Sequence, residues 1–253
     1  SKTAEDTKSR TRLMIVGPPN AAKTTCALTF DHPLLVESMP GEKGTDILPP
    51  AENRVIRLWE PIKPDDPIDW RVVVKEMEQE QLDVLSGKCG KFTTVFLDGI
   101  HKGFEVFLNA AKEQSKGQSG EENGLIYWNM AATNFSKYFN RWWYSSIPFF
   151  VATVWSEIEK TDPLAQDSLK NPASRSVWPA FAGKTQRNIL GEVNTIYADV
   201  DAGKATWQLK PDERIKGIGI KLPLEEAQKL PYKIAADWQV LKKLLFPSPE
   251  AVK

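Results

Sequence analysis

The sequence predicts an α/β fold with a mainly parallel central sheet flanked by helices and late antiparallel strands, and three observations carry that expectation. Short apolar runs bounded by turn formers recur at residues 12–17, 33–37, 93–98 and 148–155, the pattern of strands covered on both faces. Helix-forming segments lie between them, as parallel strands require of their crossovers. Near the end, runs at 193–199 and 205–209 flank the turn Asp201-Ala-Gly-Lys204, the signal of a closing antiparallel pair.

Taken in order, residues 1–11 are polar and read as a leader, and Arg12-Leu-Met-Ile-Val-Gly17 follows as a buried strand. Residues 21–30 have helix-forming composition, and Pro33-Leu-Leu-Val-Glu37 supplies the second strand. A Gly- and Pro-containing loop at 41–53 leads to a strand at 55–59, and prolines 61, 64 and 67 delay the next helix to 68–85. Thr93-Thr-Val-Phe-Leu-Asp98 is a buried strand, with a helix at 102–114 and a loop at 115–124 after it. An aromatic helix at 125–144 precedes the strand at 148–155, and the polar stretch 157–177 reads as a long loop of the kind that carries function. Residues 183–190 read as a short helix, 215–222 as a third late strand, 235–245 as an amphipathic helix and 246–253 as a tail. One domain is expected over 12–245.

Composition narrows the function classes. Thirty-three basic residues balance thirty-three acidic ones, so nucleic-acid contact would have to come from a local patch. Cys26 and Cys89 lack metal-ligand spacing and the chain has two histidines, which argues against structural zinc and fits reduced thiols in a cytoplasmic protein. No apolar run approaches the roughly 20 residues that span a bilayer, so no membrane partner is expected.

The chemistry concentrates at residues 17–25. Gly17-Pro-Pro-Asn20-Ala21-Ala22-Lys23-Thr24 follows a buried strand and precedes a helix-forming segment, the context of a phosphate-binding Walker A loop. Such a loop wraps phosphate in backbone N–H groups, its lysine reaches the outer phosphate oxygens, and its hydroxyl ligates magnesium. This makes Gly17, Asn20, Ala21, Ala22, Lys23, Thr24 and Thr25 the candidate contacts for ATP, and Thr24 a candidate Mg2+ ligand. Ala22 stands where the second glycine belongs, and a left-handed backbone there would cost on the order of 1 kcal/mol. The competing reading of Lys23-Thr24-Thr25 is a solvated helix start after a Pro-Pro turn. About seventy residues further on, Asp98 ends an apolar strand as the magnesium-side acid of a Walker B strand does, or else caps an Asp-Gly turn.

The order of these motifs, with the strand PFFVATVW and the polar loop leading to Pro179-Ala-Phe-Ala-Gly-Lys184, resembles RecA-type ATPases, nearest to the short phage-encoded proteins of recombination and single-strand annealing. The resemblance spans most of residues 12–240. It implies a RecA-like P-loop NTPase core that hydrolyses ATP, assembles into rings or filaments and engages single-stranded DNA through mobile loops, with a phage single-strand-binding protein as a further partner. It implies an acid after the second strand that orients the attacking water, for which Glu37 and Glu42 are the candidates and Glu37 is preferred. It also implies a basic pair acting on a neighbouring subunit's nucleotide, for which Arg214 and Lys216 are candidates against a plain edge strand. Ser156 or Thr153 would sense the γ-phosphate, and loops carrying Lys116, Lys160, Lys170 and Arg175 would meet DNA, although acids such as Glu121 and Asp162 share those loops. Trp128, Trp142 and Trp143 are assigned to core or interface, since aromatic residues at helical spacing usually pack. A nucleotide-binding assembly protein without strong ATPase activity is the alternative, and a small-molecule kinase ranks last for want of an arginine-rich lid.

Overall fold

The computed structural model describes residues 10–38, 54–56, 67–90, 92–119, 124–158, 177–179, 193–213, 215 and 218–246. Its elements begin with β1 (Thr11–Gly17), a short 3-10 helix (Thr25–Thr29), β2 (Pro33–Glu37), β3 (Arg54–Ile56), α1 (Trp70–Leu85), β4 (Thr94–Asp98), α2 (Ile100–Ser119) and α3 (Gly124–Trp143). They continue with β5 (Phe149–Ile158), β6 (Val177–Pro179), β7 (Asn194–Asp201), β8 (Lys204–Gln208), α4 (Leu224–Lys229), β9 (Lys233–Ala235) and α5 (Trp238–Leu245). The chain divides into two compact units, Ser1–Thr11 with Asp31–Ala152, and Arg12–Phe30 with Thr153–Lys253.

In the first unit β3, β2, β4 and the start of β5 lie side by side, all parallel. Leu34, Leu35, Val36, Val95, Phe96 and Leu97 are all buried, which is why these strands are continuously apolar rather than alternating. The hydroxyls of Thr93 and Thr94 both donate to the Asp31 carbonyl, fixing the starts of β2 and β4. Helix α3 lays Phe135, Tyr138, Phe139, Trp142 and Trp143 on one side at three- and four-residue spacing. There Phe139 and Trp143 meet the Phe150 ring of β5 edge-on, at 5.7 and 6.0 Å. Trp142 and Trp143 are therefore core, as expected, whereas Trp128 is 40% exposed and leans on Phe104. Asp69 caps α1 by accepting from the amides of Arg71 and Val72.

Glu80 on α1 has its carboxyl pushed up to about 7, first by burial and then by Asp83 and Glu76 beside it. A carboxyl whose folded pKa exceeds its unfolded value contributes stability below the unfolded pKa and loses it as pH rises through about 7. Glu80→Gln should therefore raise stability at pH 8 by about 1 kcal/mol, after discounting for the solvent that still reaches the group, and leave stability at pH 4 nearly unchanged. Urea unfolding at the two pH values checks this.

In the second unit β1 runs parallel to β7, while β7, β8 and β9 are successively antiparallel. The β7–β8 turn is the expected one, with Ala202 and Gly203 both left-handed (φ 48° and 78°), as a two-residue hairpin of matching twist needs. Helix α5 is pinned to the 3-10 helix: the Trp238 amide donates to the Thr29 hydroxyl at 2.9 Å, and the Trp238 ring stacks on Phe30 at 4.9 Å.

The structure departs from the sequence reading at several ends. The helix expected over 21–30 is the 3-10 helix Thr25–Thr29. There Cys26 Sγ and the Thr29 hydroxyl donate to the carbonyls of Lys23 and Cys26, drawing local acceptors into side-chain bonds, and Phe30 turns extended. Residues 115–119 continue α2 rather than starting a loop, and 157–158 extend β5, which pairs with β6. Where a strand is expected over 215–222, the described residues show isolated bridge positions at Ile215 and Gly219, the latter paired with Thr195, and the Lys221 amide is held by the Asn194 side chain. The helix expected from 235 starts at Trp238, because Ala235 is taken into β9 and Asp237 caps by accepting from the Gln239 amide. Helix α4 and β9 were not foreseen.

Candidate functional site

The loop leaving β1 is shaped by its own residues. Gly17 is required by a close approach: a Cβ there would lie 2.5 Å from the Ala198 carbonyl oxygen on β7. Asn20 and Ala22 are left-handed, with φ of 64° and 54°. Asparagine tolerates that conformation, since its short polar side chain suits it, but alanine does not. The position that holds glycine in a full Walker A motif thus does require a positive φ here, and Ala22 is strained. Ala22→Gly should stabilise the fold by about 0.5–1 kcal/mol, the strain relieved less the entropy glycine adds to the unfolded chain. Chemical denaturation measures the gain, and a loss of stability would contradict the strained loop.

Lys23 is buried and folds back over the loop, its Nζ donating to the carbonyls of Gly17 at 2.9 Å and Pro18 at 2.5 Å. An ammonium taken out of water needs such charge-assisted partners. Inside the loop the Ala21 amide donates to Pro18 O, and Pro18 and Pro19 carry no N–H, so these three positions offer an anion no backbone donor. Thr24 is helical (φ −67°, ψ −42°) and leads into the 3-10 helix at Thr25.

At the carboxyl ends of β2 and β4, Glu37 and Asp98 are register partners, 3% and 7% exposed. Register partners in a parallel pair point to the same face, so two carboxyl groups stand side by side on neighbouring strands, about 5 Å apart at the backbone. Gly99 follows Asp98 with φ 66° and turns the chain into α2. The carboxyl ends of parallel strands are where open α/β sheets bind ligands. Sequence reasoning passed over two buried polar residues here, Ser38 next to Glu37 and His101 in the first turn of α2. The signal that singled out Asp98, a polar residue closing an apolar strand, also fits Ser38.

The remaining predicted positions are dispersed. Thr153 is buried within β5, and Ser156 is half-buried where β5 pairs with Pro179 of β6. Glu42, Lys160, Lys170, Arg175, Arg214 and Lys216 lie outside the described residues. The side chain of Lys116 lies outside them too, on a backbone that is helical.

A family model described as AAA domain, AAA_24, matches residues 9–217, which takes in the loop, both acids and most of the strands. The chain belongs to the AAA domain family. Among curated proteins none matches it. An AAA domain is a P-loop ATPase module, and the α/β architecture with its mainly parallel sheet is the one such a module requires. The residues present fit a magnesium nucleotide. Loop amides and an ammonium suit phosphate, while a threonine hydroxyl and buried carboxylates are the hard oxygen donors magnesium takes. No group of three His, Cys, Asp or Glu side chains placed to hold a metal ion occurs among the described residues. Nor is any described helix long and apolar enough to cross a membrane.

Proposed function

We propose that the protein is a magnesium-dependent ATPase of RecA type, acting on single-stranded DNA in recombination or annealing as a ring or filament in a cytoplasm. The observation that carries the nucleotide part is the loop itself: a left-handed Ala22 at the glycine position and a buried Lys23 already drawn in over the Gly17 and Pro18 carbonyls. In this reading Lys23 holds the outer phosphates, Thr24 and Asp98 serve the magnesium ion, and Glu37 accepts the proton of the attacking water. Magnesium, when bound, neutralises charge on the phosphate oxygens. Arg214 and Lys216 act on a neighbouring subunit's nucleotide, and single-stranded DNA, with a phage single-strand-binding protein, is the partner that the RecA-type motif order supports. The family match supports the ATPase module.

ATP turnover measured with and without magnesium and single-stranded DNA tests the reading. Hydrolysis that needs magnesium and rises with DNA is expected, and absence of ATP binding at millimolar magnesium would overturn it. One observation favours the second reading, a nucleotide-binding assembly protein. The prolines and the internal Ala21 amide leave fewer donors for phosphate than a glycine-rich loop offers. Assembly that proceeds unchanged without ATP would select it.

A further inference from the structure

A cavity of about 520 Å³ opens among α1, α2 and α3, lined only by residues between 69 and 134 and therefore contained in the first unit. Small-molecule sites occupy roughly 300–1,000 Å³. The floor of this one is apolar and already packed. Phe107 is 2% exposed, its ring set edge-on to Phe135 at 5.7 Å and tilted against Tyr138 at 5.5 Å, and Ala110 and Ala111 continue the floor along α2. A floor held in place by its own ring contacts spares a ligand the cost of ordering it.

The rim is polar and unevenly charged. Arg71 donates to the Asp69 carboxylate from Nε at 3.3 Å and from Nη2 at 3.2 Å, and its Nε lies 3.9 Å from the Glu113 carboxylate of α2. Its charge is thereby offset. Lys75 follows one turn later on the same face of α1 and has neither ion pair nor side-chain hydrogen bond among the described residues. Gln114 and Asn134 are exposed at the cavity, and among the described residues their amides are likewise unspent. Each offers two donors and an acceptor.

We propose that this cavity binds a small amphipathic anion, an aromatic or branched apolar group bearing a carboxylate or sulfonate, with the apolar part on Phe107 and the charge on Lys75. Gln114 and Asn134 hydrogen-bond to polar groups at the ligand's edge. The proposal is independent of the nucleotide reading, since no residue of 17–25 and neither Glu37 nor Asp98 lines the cavity.

Fluorescence titration of the full chain tests it with two dyes, 8-anilinonaphthalene-1-sulfonate and N-phenyl-1-naphthylamine, the same ring system without the sulfonate. Wild type should bind the sulfonate at a single saturable site, about fivefold more tightly than the uncharged dye, the scale of one partly exposed ion pair. Lys75→Gln, at an exposed position, should abolish that preference and leave the uncharged dye within about twofold. Ala110→Phe, which fills the floor, should weaken both dyes about tenfold or more, the loss expected when the apolar contact is denied. Thermal melting shows whether each variant is folded, and Asn134→Trp, at an exposed position, blocks the cavity should Ala110→Phe not fold. Excess ATP should leave the sulfonate bound. Absence of saturable binding, equal affinity of wild type for the two dyes, or an unchanged preference in Lys75→Gln overturns the proposal. So does binding that survives the blocked cavity or is displaced by ATP.

Discussion

Lys23→Ala is expected to reduce kcat/KM for ATP by about 10²–10³-fold, the loss typical of one preorganised group that stabilises transition-state charge, and to lower stability at the same time. The second effect follows from the structure. The Lys23 ammonium donates to Gly17 O and Pro18 O in a buried setting, and a hydrogen bond from a charged donor contributes about 1.5–3 kcal/mol. Truncation also strands two carbonyls at the mouth of the loop. A net loss of about 2 kcal/mol is expected once water reaches those carbonyls. Turnover must therefore be compared well below the melting point of the variant. An activity loss that persists where both proteins are fully folded belongs to phosphate contact, and unchanged kcat/KM under those conditions would remove Lys23 from the site.

Gly17→Ala should be more damaging to the fold than to any step of chemistry. The new methyl would stand 2.5 Å from a backbone oxygen, that of Ala198, and 3.2 Å from the Ala198 Cβ. Neither neighbour is the flexible end of a side chain, so β1 and β7 would have to part where they are paired through Val16 and Tyr197. Overpacking of a tight interior costs about 1–3 kcal/mol when the surroundings yield, and a backbone partner yields least, so at least 3 kcal/mol is expected. Urea unfolding or soluble yield reads this directly. A variant of near wild-type stability would show that β1 and β7 do not approach as closely as described. Gly17, the first letter of the sequence motif, thus lets the first strand close on a strand contributed about 180 residues later.

The contrast between Gly17 and Ala22 shows how a motif letter and its physical cause can separate. At Gly17 the letter is kept because a Cβ has no room. At Ala22 the letter is lost although φ is 54°, so the demand for a left-handed residue persists and is met under strain.

Several features could be read from the chain because they depend only on neighbours in sequence. Continuous apolar runs such as Leu34-Leu-Val36 and Val95-Phe-Leu97 announce strands covered on both faces, and both occur at or within one residue of their expected ends. The turn at Ala202-Gly203 and the aromatic helix from Gly124 depend on local rules of the same kind. Elements were misread where partners distant in sequence intervene. Lys233–Ala235 is a strand because Thr206–Gln208 offers it an edge, whereas the described residues of 215–222 form isolated bridges and no strand. By itself, then, the sequence determined the α/β class, the turn that leaves β1 at Gly17 and the acid closing β4, all carried by local patterns of polarity and chain flexibility. Only the tertiary structure decided that Gly17 answers to Ala198, that Lys23 is buried against its own loop, that Glu37 and Asp98 are register partners and that Ser38 is buried. Burial and close approach are properties of segments brought together by folding, and no local pattern encodes them.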